Sequence, residues 1–242
     1  MADTVFLAGA SGAIGMILGP LLVANGYDVY GSTRRAERAP ELAALGVRPV
    51  VVDMFDADGL TQALGEIRPR AVIHQLTALP RGLDPAKLQT AIADNARIRD
   101  EGTRHLVNAS IAAGVERLVA QSIAWAYRPG TAPYDEAQPL DVDAPEPRAI
   151  TIRGVVSLEQ QVLGAPMQGT VLRYGRFYGP GTGSDIVPSP SAVHVEAAAW
   201  AAVLALRHDG GGVFNVAEAG SDVTNAHARD VLGWDPGYRV AR

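Results

Sequence analysis

Three glycines near the N-terminus, Gly9, Gly12 and Gly15 in AGASGAIG, have the spacing that holds a diphosphate with backbone rather than with side chains. The first allows a tight turn, the second lets the backbone approach a pyrophosphate, and the third lets a helix pack closely on a strand. Ser11, Ala13 and Ile14 fill the same turn. The helix that follows would turn free N–H groups and a partial positive charge toward the phosphates.

Downstream, YGSTRR closes a second strand pattern with Thr33, Arg34 and Arg35. An acidic residue there would accept hydrogen bonds from an adenosine ribose, whereas a hydroxyl and two guanidiniums suit a 2′-phosphate. NADP is therefore the expected cofactor, ahead of NAD. Asp53, closing VVVD, is placed to accept from an adenine amino group or to cap the next helix. Met54, Leu76 and Tyr174 complete the expected cofactor set. His194 in AVHVE titrates in the right range for proton transfer but is expected to be structural, and His74 is expected to satisfy a core hydrogen bond. No histidine pair has metal spacing, and a Ser–His–Asp hydrolase would need a nucleophile elbow that the chain lacks.

Short β-branched runs alternate with longer helical patterns, which predicts βαβ units, a parallel sheet and a Rossmann-type doubly wound α/β fold. The strands are expected at 4–8, 27–31, 48–53, 71–75, 116–121, 169–174 and 212–216. Helices are expected at 13–25, 57–66, 86–113, 152–163 and 194–208, with Ile98, Leu106, Ala109 and Ala113 on one apolar stripe. Residues 128–148, rich in proline and acids, read as an irregular surface loop, and 179–192 as a lid or linker. The expected organisation is a dinucleotide-binding core over 1–175 and a reduced substrate region over 176–242, packed as one unit.

Apolar residues make up 48% of the 242, enough for a large core. A net charge of -5 argues against nucleic acid as a partner. With no cysteine, thiolate catalysis and disulfides are excluded, which fits a cytoplasmic setting. The first residues lack the basic region of a signal peptide, and the longest apolar run, 197–206, is too short to span a bilayer, so no membrane is expected. That run is apolar nearly all round, which places it in the core or at a contact between two copies, as in a homodimer.

GASGAIG, VVVD, AVIHQLTA, EGTRHLVNASIAAGVERLVAQS, VLRYGRFYGPGTG, AVHVEAAAWAAVLAL, GGVFNVAE and DVLGWDP follow one another in order. The ordered set resembles the extended or atypical short-chain dehydrogenase/reductase superfamily, in its NAD-dependent epimerase/dehydratase-like group. The resemblance implies a nicotinamide cofactor, a small-molecule substrate, and a tyrosine whose acidity is tuned by a lysine four residues later. Here Thr151 stands at the tyrosine position, Val155 at the lysine position, and Arg99 where many relatives keep a helix asparagine. The remaining proton donors are Ser122, Tyr127, Thr151 or solvent, with Gln121 and Trp125 shaping a pocket. Residues 184–191 alone separate GPGTG from AVHVE, less than the resemblance implies, which favours a small or flat apolar substrate. The expected function is NADP(H)-dependent reduction of a small carbonyl compound. A redox-neutral isomerase, dehydratase or cyclase and a non-enzymatic dinucleotide sensor are the alternatives.

Overall fold

The computed structural model describes residues 3–78 and 85–240. β1 (Thr4–Ala8) enters the glycine turn and α1 (Gly15–Ala24) leaves it. Then come β2 (Asp28–Thr33), a short 3-10 turn, α2 (Ala39–Ala44), β3 (Arg48–Val51), α3 (Ala57–Ile67) and β4 (Ala71–His74). α4 (Pro85–Arg97) continues through a π-helical segment, Ile98–Gly102, into α5 (Thr103–Ala112). β5 (Arg117–Ile123), α6 (Arg148–Leu163), β6 (Gln168–Tyr174), β7 (Arg176–Tyr178), β8 (Ala192–His194), α7 (Val195–Arg207), β9 (Gly212–Val216) and α8 (Ala226–Leu232) complete the order.

Seven strands form one parallel sheet in the order β3-β2-β1-β4-β5-β6-β9. The order reverses between β1 and β4, so a crevice opens above their carboxyl ends. One face carries α1 and α7 over a core that includes Leu18, Leu22, Val193, Ala198, Ala202 and Phe214. The other carries α3, α5 and α6 over Phe6, Leu64, Val72, Leu106, Leu118 and Leu158. Burying strands on both faces is what makes them read as unbroken apolar runs.

All seven expected strands are present. The long helical stretch is continuous but tightens into π geometry at IRDEG, and α6 begins at Arg148, four residues ahead of the expected start. The sequence pattern missed α2, α8 and the small β7–β8 pair, which are too short for periodicity to build up. The boundary expected after residue 175 falls inside the sheet, because β9 from the C-terminal part pairs with β6 as its last strand while α7 packs on one face. α7 is buried within the chain itself: Ala197, Ala198, Ala201, Ala202 and Val203 are fully covered. Residues 128–148 are irregular yet anchored, with Tyr127 bridging Leu140 and Tyr134 bridging Val223. No described helix is long and apolar enough to cross a membrane.

Candidate active site

Gly9 has φ of +88°, a conformation only glycine adopts without strain. A Cβ on Gly9 would stand 3.0 Å from the Gln75 carbonyl, so the turn lies directly against the end of β4. A Cβ on Gly15 would stand 2.3 Å from the Gly9 oxygen, which is why the helix seats so closely on the turn. The Gly12 N–H bonds the Gly9 carbonyl, and Met16 N–H bonds that of Gly12. Among the described residues, the N–H groups of Ser11, Ala13 and Ile14 take no backbone acceptor. They are left at the mouth of α1, as an anion cradle requires.

β2 positions the neighbouring groups. The Ser32 hydroxyl accepts from Gly9 N–H at 3.1 Å, tying β2 to the turn. Thr33 is nearly covered, and its hydroxyl bonds Ser11 and the Arg35 backbone. It therefore shapes the loop, and of the three residues Arg34 and Arg35 are the exposed ones. Arg34 and Asp53 border one shallow hollow of about 420 Å³. One Asp53 oxygen accepts from Phe55 N–H, whereas the cap of α3 is Asp56, which accepts from Gly59. Met54 is buried under Gly102, and Leu76 is half-buried where β4 ends. Tyr174 departs from the expected set: it is fully buried, and its hydroxyl donates to the Ala198 carbonyl. With that hydroxyl committed, the nearby Gln75 amide falls short of hydrogen-bond geometry on both of its atoms.

Two of the expected proton donors, Ser122 and Tyr127, are committed to partners inside the fold. Ser122 is fully buried and donates to Glu159 at 2.7 Å. Glu159 also takes both arms of Arg173, at 3.0 and 2.6 Å, with each partner's side chain 6% exposed. Arg173 donates on to the Tyr127 hydroxyl at 2.8 Å, and Tyr127 donates to Asn215 at 2.7 Å. Burial is the main reason the Tyr127 phenol is pushed above its ordinary range, with Arg173 opposing it. Tyr127 also stacks on Tyr134, so it clasps the 128–148 loop rather than facing the crevice. Thr151 is half-buried on α6, and Val155 is sealed in an apolar cluster with Ile123, Ala126 and Ile152. Gln121 is buried, while Trp125 is half-covered, with the Arg176 guanidinium 4.7 Å from its ring centre.

The two histidines expected to be structural are both engaged inside the fold. His74 Nδ1 accepts from Leu76 N–H, which leaves the proton on Nε2, facing Thr103 at 3.1 Å. Burial, then the charge of Arg99, push His74 down to about 4, so it is neutral near pH 7. His194 caps α7 by accepting from Glu196 N–H and lies edge-on to Tyr178.

Sequence reasoning missed the Glu159–Arg173–Asn215 cluster. Its signal was a charged residue, Arg173, inside the otherwise apolar strand VLRY, which demands a buried partner.

Residues 9–146 match a family described as NAD(P)H-binding, and they hold the cradle, Arg34, Arg35 and the crevice end of β5. A curated Streptomyces protein, 3-diazoavenalumate denitrifying reductase, is 44% identical over 237 residues, covering 88% of this chain and 75% of that one. The chain belongs to the NAD(P)H-binding family. A shorter likeness, 37% over 60 residues, links it to a Dictyostelium discoideum sterol-4-alpha-carboxylate 3-dehydrogenase, over 25% of this chain and 18% of that one. Among solved structures, the UDP-glucose 4-epimerase of Thermotoga maritima superposes with a TM-score of 0.78 at 18% identity, over 98% of this chain and 94% of that one. The Thermus thermophilus UDP-glucose 4-epimerase, solved with NAD, gives 0.75 at 21%, over 98% and 95%. The fold is thus that of the extended short-chain dehydrogenase/reductase group, and the family function is that of an NAD(P)-dependent oxidoreductase.

Proposed function

We propose that this chain is an NADP(H)-dependent reductase whose substrate accepts hydride without needing a proton from the protein. The observation that carries the reading is the closed state of the Ser122–Glu159–Arg173–Tyr127 network, together with Thr151 and Val155 where a phenol and an ammonium would stand. Reduction of a carbonyl leaves an alkoxide that must be protonated, and a threonine hydroxyl is a far weaker acid than a phenol. The small-carbonyl substrate expected from the sequence would then depend on Thr151 or solvent for its proton.

A diazonium group has no such need. The Streptomyces relative's name joins a diazo substrate, loss of nitrogen and a reduction. When bound, the reduced nicotinamide supplies hydride, and its replacement of dinitrogen balances as R–N2⁺ + NAD(P)H → R–H + N2 + NAD(P)⁺. Gly9, Gly12 and Gly15 would hold the diphosphate, and Arg34 and Arg35 a 2′-phosphate. The protein's task is then to bind, orient and exclude water. Aryl diazonium ions, which persist in water, are the substrate class to try first.

The test is NADPH loss and dinitrogen release with a benzenediazonium salt, beside a panel of aldehydes and ketones and enzyme-free controls. Turnover of the diazonium alone supports the reading. Reduction of carbonyls at comparable rates, or of nothing, refutes it.

A further inference from the structure

The π-helical segment between α4 and α5 runs from the end of β4, where His74 faces Thr103, to α6, where Ser157 bonds Asp100, and it carries Arg99, whose charge acts on His74 and feels that of Glu159. π segments of this kind often mark functional positions, because they aim a side chain that regular α geometry would turn away. Arg99 is deeply set, yet it keeps some contact with solvent. Burial is the main influence on its guanidinium and lowers it to about 10, so it remains charged near pH 7.

Among the described residues, Arg99 has no hydrogen bond or ion pair. The one carboxylate that acts on it, Glu159, is already taken by Ser122 and by both arms of Arg173. The neighbouring Asp100 turns outward to Ser157 and Arg104. Most other described arginines sit in ion pairs, so a half-buried guanidinium with no hydrogen-bonded partner stands apart. Setting a charge there without a partner is costly, and the cost is removed when an anion arrives. On α6, which packs against this segment, Ile152 and Val155 belong to an apolar cluster with Trp125 beside it, and the Arg176 guanidinium lies 4.7 Å from the Trp125 ring centre. Guanidinium forks match carboxylates in two-point geometry.

We propose that Arg99 binds a carboxylate of the substrate, so that this reductase acts on aromatic acids, with the anion on the guanidinium. The proposal rests on the reductase reading given above, and adds the substrate class.

The experiment compares meta-carboxybenzenediazonium with its methyl ester, in the wild-type chain and in Arg99→Gln and Arg99→Lys, with NADPH saturating. The wild type is expected to show KM lower for the acid than for the ester by about tenfold to a hundredfold, with similar kcat. Arg99→Gln should lose that preference through a higher KM for the acid, and Arg99→Lys should restore part of it. A wild type that treats acid and ester alike overturns the proposal, as does an Arg99→Gln protein that still prefers the acid. If Arg99→Gln does not fold, as read by its melting curve, the wild-type acid–ester comparison decides alone. If neither diazonium turns over, the reductase reading fails by itself. Calorimetry with benzoate and methyl benzoate on the NADP-loaded wild type then decides the anion site: tighter benzoate supports it, and equal binding overturns it.

Discussion

Removing the Tyr127 hydroxyl separates a structural clasp from a proton donor. In Tyr127→Phe the ring keeps its stack on Tyr134, 5.5 Å between centres, and only the oxygen is lost. That oxygen accepts from Arg173 and donates to Asn215, both in the buried layer between β6 and β9. Arg173 Nη1 keeps a long contact to the Glu136 carbonyl at 3.4 Å, and its other nitrogens keep Glu159. Asn215 Oδ1 is left unsatisfied. Two lost buried bonds, one of them partly replaced by the Glu136 contact, and one stranded acceptor cost about 1–3 kcal/mol. For a domain of this size that corresponds to a melting point lower by about 3–10 °C. Turnover of a diazonium substrate, followed by NADPH loss well below the new melting point, should stay within about twofold of wild type if no general acid has been removed. Ser122→Ala should behave likewise. The reasoning is refuted if Tyr127→Phe melts like wild type while kcat falls by about a hundredfold or more, as loss of a general acid would cause.

Other positions give independent checks. Arg34→Ala with Arg35→Ala should weaken NADPH binding about tenfold or more while leaving NADH unchanged, measured by fluorescence titration; equal loss for both cofactors would remove the 2′-phosphate role. Gly15→Ala, whose Cβ would stand 2.3 Å from the Gly9 oxygen and 2.5 Å from that of Ala10, should cost about 3 kcal/mol and abolish cofactor binding. His74 is held neutral down to about pH 4, against 6.5 when unfolded. Its linkage is therefore flat above pH 6.5, and from there down to about pH 4 the unfolded chain takes up a proton that the native one refuses. Urea melts of the wild type should lose up to about 3 kcal/mol across that window, and His74→Asn should flatten this part of the slope.

The glycine turn, the seven strands and the cofactor class were legible because each is written in contiguous residues: a strand, AGASGAIG and a helix follow one another without interruption. The fate of the proton donors was not. Ser122 meets Glu159 across 37 residues, Arg173 meets Tyr127 across 46, and Tyr127 meets Asn215 across 88. No local pattern carries those pairings, so hydroxyls that looked free in the sequence are committed inside the fold. Tyr174 was misplaced for a related reason. It ends β6, near the crevice in sequence, but strand alternation turns its ring down onto α7. Arg99 shows the reverse case. Its departure from the asparagine of related enzymes was plain in RDEGT, but its lack of a partner appears only when Glu159 is seen bound to Arg173.

The most direct test of hydride delivery without a protein acid is isotopic. The wild type is given a benzenediazonium salt and NADPH deuterated at the transferring position in ordinary water, and the arene is analysed by mass spectrometry. A reductase of the kind described here places one deuterium on the ring for each dinitrogen released, and none when unlabelled NADPH is used in heavy water. Deuterium drawn from solvent, or an arene yield no greater than the enzyme-free control, would contradict it.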